Sequence, residues 1–148
     1  MGLIDSLFGK NKKSRHSQGN MAYGDGMGSN SERVAQLTFK AGNCLIQGDT
    51  KSAEAFYKEA FFEGVRLLGL RHSLTRNVLA VHSMYLRSVE RDDEAIPLEA
   101  LYWKTGSPES FSRGLLLGSI EPDVQHFLEK DPDWFENVVR QLSKQERH

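Results

Sequence analysis

The chain has 148 residues, 39% apolar and 26% charged, with one cysteine and a net charge of −1. Those values describe one folded domain with one core. They exclude an internal disulfide and a multi-cysteine zinc site, and they argue against a nucleic-acid binder, which carries a strong basic excess.

Residues 1–31 carry a charge of +2. Gly2 with Ser6 fits a loose N-acylation pattern. Over residues 2–9, Leu3, Ile4, Leu7 and Phe8 make one apolar face, and Lys10, Lys12, Lys13 and Arg15 follow it. Such a short amphipathic helix is suited to docking on an anionic membrane surface or on a partner, with a solvated tail as the alternative. Residues 14–31 are rich in glycine and small polar side chains, which predicts a flexible linker. Its glycines are not followed by the Lys-Ser or Lys-Thr of a phosphate loop.

From Glu32 the pattern turns helical, with Ser31 as the expected cap. Val34, Leu37, Ala41, Leu45 and Ile46 make a stripe on one helical face. Gly48-Asp49-Thr50 ends that helix and caps the next, which carries Ala53, Phe56, Tyr57, Ala60, Phe61, Val65 and Leu68 before Gly69. A third helix is predicted over about 73–89 and a fourth over 92–104. Ser107-Pro108-Glu109 and Asp131-Pro132-Asp133 are strong helix starts, and Glu121-Pro122-Asp123 is a weaker one. They predict helices at 107–118, 122–130 and 132–145. No segment alternates like a strand, so the fold class is all-α, built from antiparallel helical hairpins.

A spacing of 42 residues relates the first two hairpins. Leu37 falls on Leu79, Ala41 on Ser83, Cys44 on Leu86 and Ala53 on Ala95. Leu37, Ala41, Ala53, Tyr57 and Ala60, with Gly48 at the turn, fit the large–small pattern of a tetratricopeptide repeat. The run Leu68-Gly69-Leu70-Arg71-His72-Ser73 is similar to the repeat junction of the longer, kinesin-light-chain-like subtype. The chain therefore resembles that family from about Val34 to Thr105. The resemblance implies hairpins stacked as a short right-handed superhelix, with repeats at about 34–70 and 76–105. Helices over 107–145 would cap it. Several positions depart from the pattern. Ala80 and Val81 stand where the subtype places asparagines, Glu90 replaces the turn glycine, Pro97 falls inside a helix, and Asn137 stands where a third alanine would recur. Two repeats are marginal alone, so the C-terminal helices or a second copy must cover the open end.

The resemblance also implies a groove lined by the first helix of each hairpin, here Thr38, Gly42, Leu45, Asn77, Ala80, Met84 and Arg87. Leu45 and Met84 are equally compatible with ordinary core. Thr38 and Gly42 stand where a basic carboxylate clamp would begin, which argues for a mixed apolar groove. His16, His72, His82, His126 and His148 lack metal-ligand spacing; His72 reads as a helix start and His82 as core edge. Cys44 reads as a buried thiol rather than a nucleophile. Glu90, Asp92, Asp93, Glu94 and Glu99 read as solvated capping charge, or as a surface for a basic partner. Trp134, Phe135, Val138, Val139 and Leu142 read as core, or as a partner face if the last helix packs loosely. Tyr102 and Trp103 are their expected neighbours.

Residues 33–89 carry +4 and residues 90–136 carry −8, so an extended stack is a dipole suited to head-to-tail self-association. The expected function is a non-catalytic adaptor that binds a peptide or protein partner and needs no cofactor or metal. The alternative is a peripheral membrane or secretion-associated accessory protein tethered by residues 1–13. No apolar run is long enough for a transmembrane helix, and the first residues lack the apolar core of a secretory signal. The expected location is cytoplasmic, or peripheral on a membrane.

Overall fold

The computed structural model of the chain describes residues 26–146. Those residues form seven helices and no strand: α1 (Gly26–Ile46), α2 (Thr50–Leu67), α3 (Ser73–Ser88), α4 (Asp92–Lys104), α5 (Pro108–Leu116), α6 (Pro122–Lys130) and α7 (Pro132–Glu146). The all-α class and most helix limits follow from local chemistry. Asp49 caps α2 by accepting a hydrogen bond from the Ser52 amide at 3.2 Å. The His72 Nδ1 accepts from the Leu74 amide at 3.1 Å and so caps α3. Ser107 caps α5 by accepting from the Ser110 amide at 3.0 Å. Each side chain satisfies one of the amides that a helix start leaves without an intrahelical partner.

The start of α1 corrects the sequence reading. The helix begins at Gly26, so Ser31 lies inside it and residues 26–31 are helix rather than linker. Glycine and small polar residues nucleate helices poorly. Extending an existing helix, however, costs only about 1 kcal/mol per glycine and recovers a backbone hydrogen bond per residue. Residues 1–25, with the predicted amphipathic segment, lie outside the described residues.

α1 pairs with α2, and α3 with α4; α3 also packs on α2. The turns between paired helices repeat bond for bond. In the first, Gly48 donates to the Leu45 carbonyl at 3.0 Å, and Asp49 donates to that of Cys44 at 2.8 Å. In the second, Glu90 donates to the Arg87 carbonyl at 3.0 Å, and Arg91 to that of Leu86 at 2.8 Å. Gly48 holds φ +85° and Glu90 holds φ +62°. The left-handed conformation suits glycine, and a side chain there costs about 1–2 kcal/mol. Glu90 thus makes the same turn as Gly48 without the residue type that favours it.

The first core gathers Val34, Leu37, Ala41 and Cys44 of α1, Ala53, Phe56, Tyr57 and Ala60 of α2, and Val78 of α3. Every pair matched at the 42-residue spacing is buried: Leu37 and Leu79, Ala41 and Ser83, Cys44 and Leu86, Ala53 and Ala95. The match then ends. Tyr57 is buried core, but its counterpart Glu99 sits in an ion pair. α4 instead buries Ala100 and Leu101. Pro97 lies inside α4, which runs on past it to Lys104.

α2 and α3 approach closely because Gly64 has no side chain. A Cβ there would lie 2.7 Å from the Oγ1 of fully buried Thr75. The single core expected from the length is not what forms: a second, smaller core joins Ala100 of α4 to Ile120 and Val124. Ile96, Trp103, Phe111, Phe127, Leu128 and Trp134 pack around it. Phe127 and Trp134 meet edge to face at 4.8 Å. α7 also returns to touch α2, so the C-terminal helices reach back to the first hairpin.

The two turns predict opposite responses to substitution. Gly48→Ala, with no atom within 4 Å of the added Cβ, lowers unfolding free energy by about 1 kcal/mol through backbone strain alone. Glu90→Gly raises it by about 0.5–1 kcal/mol, and also removes a negative charge from the end of α3. Urea unfolding followed by circular dichroism measures both.

Candidate functional site

The predicted groove positions lie on two helices, Thr38, Gly42 and Leu45 on α1 and Asn77, Ala80, Met84 and Arg87 on α3. Thr38 donates its hydroxyl to the Val34 carbonyl at 2.9 Å and so turns back on its own helix. A Cβ on Gly42 would meet nothing within 4 Å. Leu45 packs against the first core. Asn77 is exposed on α3. Ala80 and Met84, the next two turns of α3, line a cavity of about 270 Å³. Arg87 lies one turn further on.

The cavity sits where α3 and α4 meet the start of α6. α3 contributes Ala80, Ser83 and Met84, and α4 contributes Glu99, Tyr102 and Trp103. The α5–α6 connection and α6 close it with Ser119, Glu121 and Val124. Met84 is 68% exposed, so its thioether stands at the mouth. Ser83 is turned away from solvent and donates to the Ala80 carbonyl at 2.9 Å.

Arg87 fixes the frame of this cavity. Its Nε and Nη2 donate to the two Glu99 carboxylate oxygens at 3.0 and 2.6 Å. The same guanidinium reaches Asp123 on α6 at 3.1 Å and Asp92 at 3.6 Å. A planar fork that engages a carboxylate through two bonds sets direction as well as distance. These bonds, Glu99 first, hold Arg87 protonated, and the Arg87 hydrogen bond holds the Asp123 carboxyl below its ordinary range. One side chain of α3 thus ties α4 and α6 in place.

The lining residues of α4 and α6 were absent from the sequence-derived groove. A signal for them existed: Glu99 and Tyr102 occupy the slots of Tyr57 and Ala60 in the first repeat. A charge where the repeat buries a ring, and a ring where it wants a small residue, mark the place where the packing changes.

The other singled-out residues take ordinary positions. Cys44 is buried, and desolvation pushes its thiol up, away from a reactive thiolate. The His82 ring stacks on Tyr57 at 5.0 Å and is buried, with 9% exposure. Of the acidic cluster, Glu94 pairs with Arg91 at 2.7 Å and Glu99 with Arg87, so both are engaged within the chain. Arg91 also bridges back to Glu54 of α2. Trp134 joins the second core beside Trp103, while Phe135, Val138, Val139 and Leu142 stay half-exposed.

Among the described residues no three His, Cys, Asp or Glu side chains gather to hold a metal ion, and no helix is long and apolar enough to cross a membrane. In comparisons with known proteins, no family model, curated protein or solved structure matches the chain.

Burial of His82, more than any neighbouring charge, pushes its imidazole below the ordinary value of about 6.5. The unfolded chain therefore takes up a proton first as pH falls. Stability is retained above that value and lost as pH drops through it toward the lower folded pKa. His82→Phe, which keeps the stack on Tyr57, flattens the fall in melting temperature between about pH 7 and about pH 5.5. Thermal melts of both proteins across that range measure it.

Proposed function

We propose that the chain is a non-catalytic interaction module that binds a peptide or protein segment along α3. One observation carries this reading: Ala80 and Met84, chosen from the sequence as groove positions, line the cavity between α3, α4 and α6. The 42-residue recurrence of buried positions and turn bonds supports reading the two hairpins as tetratricopeptide-like repeats. In such an array the first helix of a repeat faces the ligand, and α3 is that helix in the second repeat. Function inferred from a repeat architecture is analogy. The cavity is the site-level argument, because it joins an adaptable thioether to an aromatic wall and a few polar groups.

The mechanism is positional. α3 is held from behind by the first core and from the side by the Arg87 network, so its cavity face is set before a ligand arrives. A preformed surface spends less of its binding energy on ordering itself.

Selection of displayed random peptides against the full chain tests the reading. The expected binders shift the amide resonances of Ala80, Met84 and Trp103. Met84→Ala weakens them by about tenfold, which corresponds to about 1.4 kcal/mol of lost contact. Failure to select any peptide, or shifts confined to other helices, would refute the assignment.

A further inference from the structure

The charge around the cavity is unbalanced. Glu99, Asp123 and Asp92 all converge on the single guanidinium of Arg87. Glu121 adds another carboxylate from the lining itself. It stands at the N-terminal cap position of α6 but makes no capping hydrogen bond, and it is exposed. The other nearby cation is Arg76. It lies 4.2 Å over the Tyr102 ring and donates to the Tyr102 carbonyl at 2.7 Å. Of these carboxylates, Glu99 and Glu121 line the cavity itself, and Glu99 is held by Arg87. The floor beneath them is apolar, with Trp103, Ala80 and Val124, and Met84 stands at the mouth.

An apolar floor with an acidic rim selects a particular ligand chemistry. The ligand needs an apolar stem to cover the floor and a cationic head to meet the rim. A volume of about 270 Å³ lies below the usual range of about 300–1,000 Å³ for drug-sized ligands, which fits one side chain rather than a whole small molecule. Lysine and arginine have that form. Glu99 and Asp123 are already engaged by Arg87, so Glu121 is the carboxylate left to receive the head. Trp103 adds an aromatic ring to the same lining.

We propose that this cavity is an anchor site for one lysine or arginine side chain of a basic peptide. The stem lies against Met84 and Trp103, and the head meets Glu121. This rests on the reading of α3 as a peptide-binding surface and names the partner class for it.

The test uses the immobilised full chain and random peptide sublibraries of about nine residues, with the central position fixed as lysine, arginine, norleucine or glutamate. Norleucine keeps the apolar stem and lacks the charge. The lysine and arginine sublibraries are expected to be retained about fivefold above norleucine at about 50 mM salt, with glutamate lowest. The preference is expected to shrink at about 500 mM salt. Glu121→Lys, at an exposed position, is expected to abolish it while leaving the helical circular dichroism unchanged.

Equal retention of lysine and norleucine overturns the basic anchor and leaves peptide binding standing. No retention of any sublibrary overturns both. A basic preference that survives Glu121→Lys places the cation elsewhere and overturns the site. Binding that emerges only after Lys10, Lys12, Lys13 and Arg15 are changed to glutamine identifies the chain's own basic segment as the occupant and overturns the separate partner.

Discussion

Gly48 and Glu90 turn the chain through the same left-handed backbone conformation, and the register of the hairpins depends on it. Each turn returns an amide to a carbonyl five residues earlier, so the following helix starts at a fixed height and angle. From that start, Ala53 and Ala95 are buried, as are the small residues Ala41 and Ser83 of the helices before them. The first turn is favoured by its glycine. The second is held against the preference of its glutamate by what the two helices gain on packing. Tertiary burial therefore specifies the second hairpin more than its local sequence does.

Once that register is set, the two halves are joined by charge. Arg91, at the start of α4, reaches back to Glu54 of α2, and Arg87 reaches forward to Glu99 and Asp123. Arg87 of the basic segment thus meets Glu99 and Asp123 of the acidic one, while the Arg91–Glu54 pair runs in the opposite sense. At the cavity, Glu121 is left exposed and makes no capping hydrogen bond.

Helix limits were legible in the sequence where a cap signal stood beside an apolar stripe: Asp49, His72, Ser107 and Pro132 all mark real starts. The beginning of α1 was not, because residues 26–31 extend a helix that they do not initiate. The buried repeat positions were legible because burial imposes size and spacing on residues four apart. The cavity was only half legible. Its α3 side follows the repeat, so Ala80 and Met84 could be placed. Its other walls come from α4 and the start of α6, which Arg87 engages through ion pairs to residues 12 and 36 positions away that no local period encodes. Glu99 in the slot of Tyr57 and Tyr102 in that of Ala60 were the local signs.

The second core is small, with three buried residues in its cluster. Only Gly114 is buried in α5 and Val124 in α6. α3 belongs to the large core, while the Ser119–Val124 wall of the cavity belongs to the small one. A region with so few buried contacts opens at lower free energy than the body it rests on. Opening it removes one wall of the cavity without unfolding the hairpins. Occupancy and C-terminal order are then two readings of one equilibrium: whatever fills the cavity slows hydrogen exchange and proteolysis across α5 and α6, and whatever loosens those helices releases it.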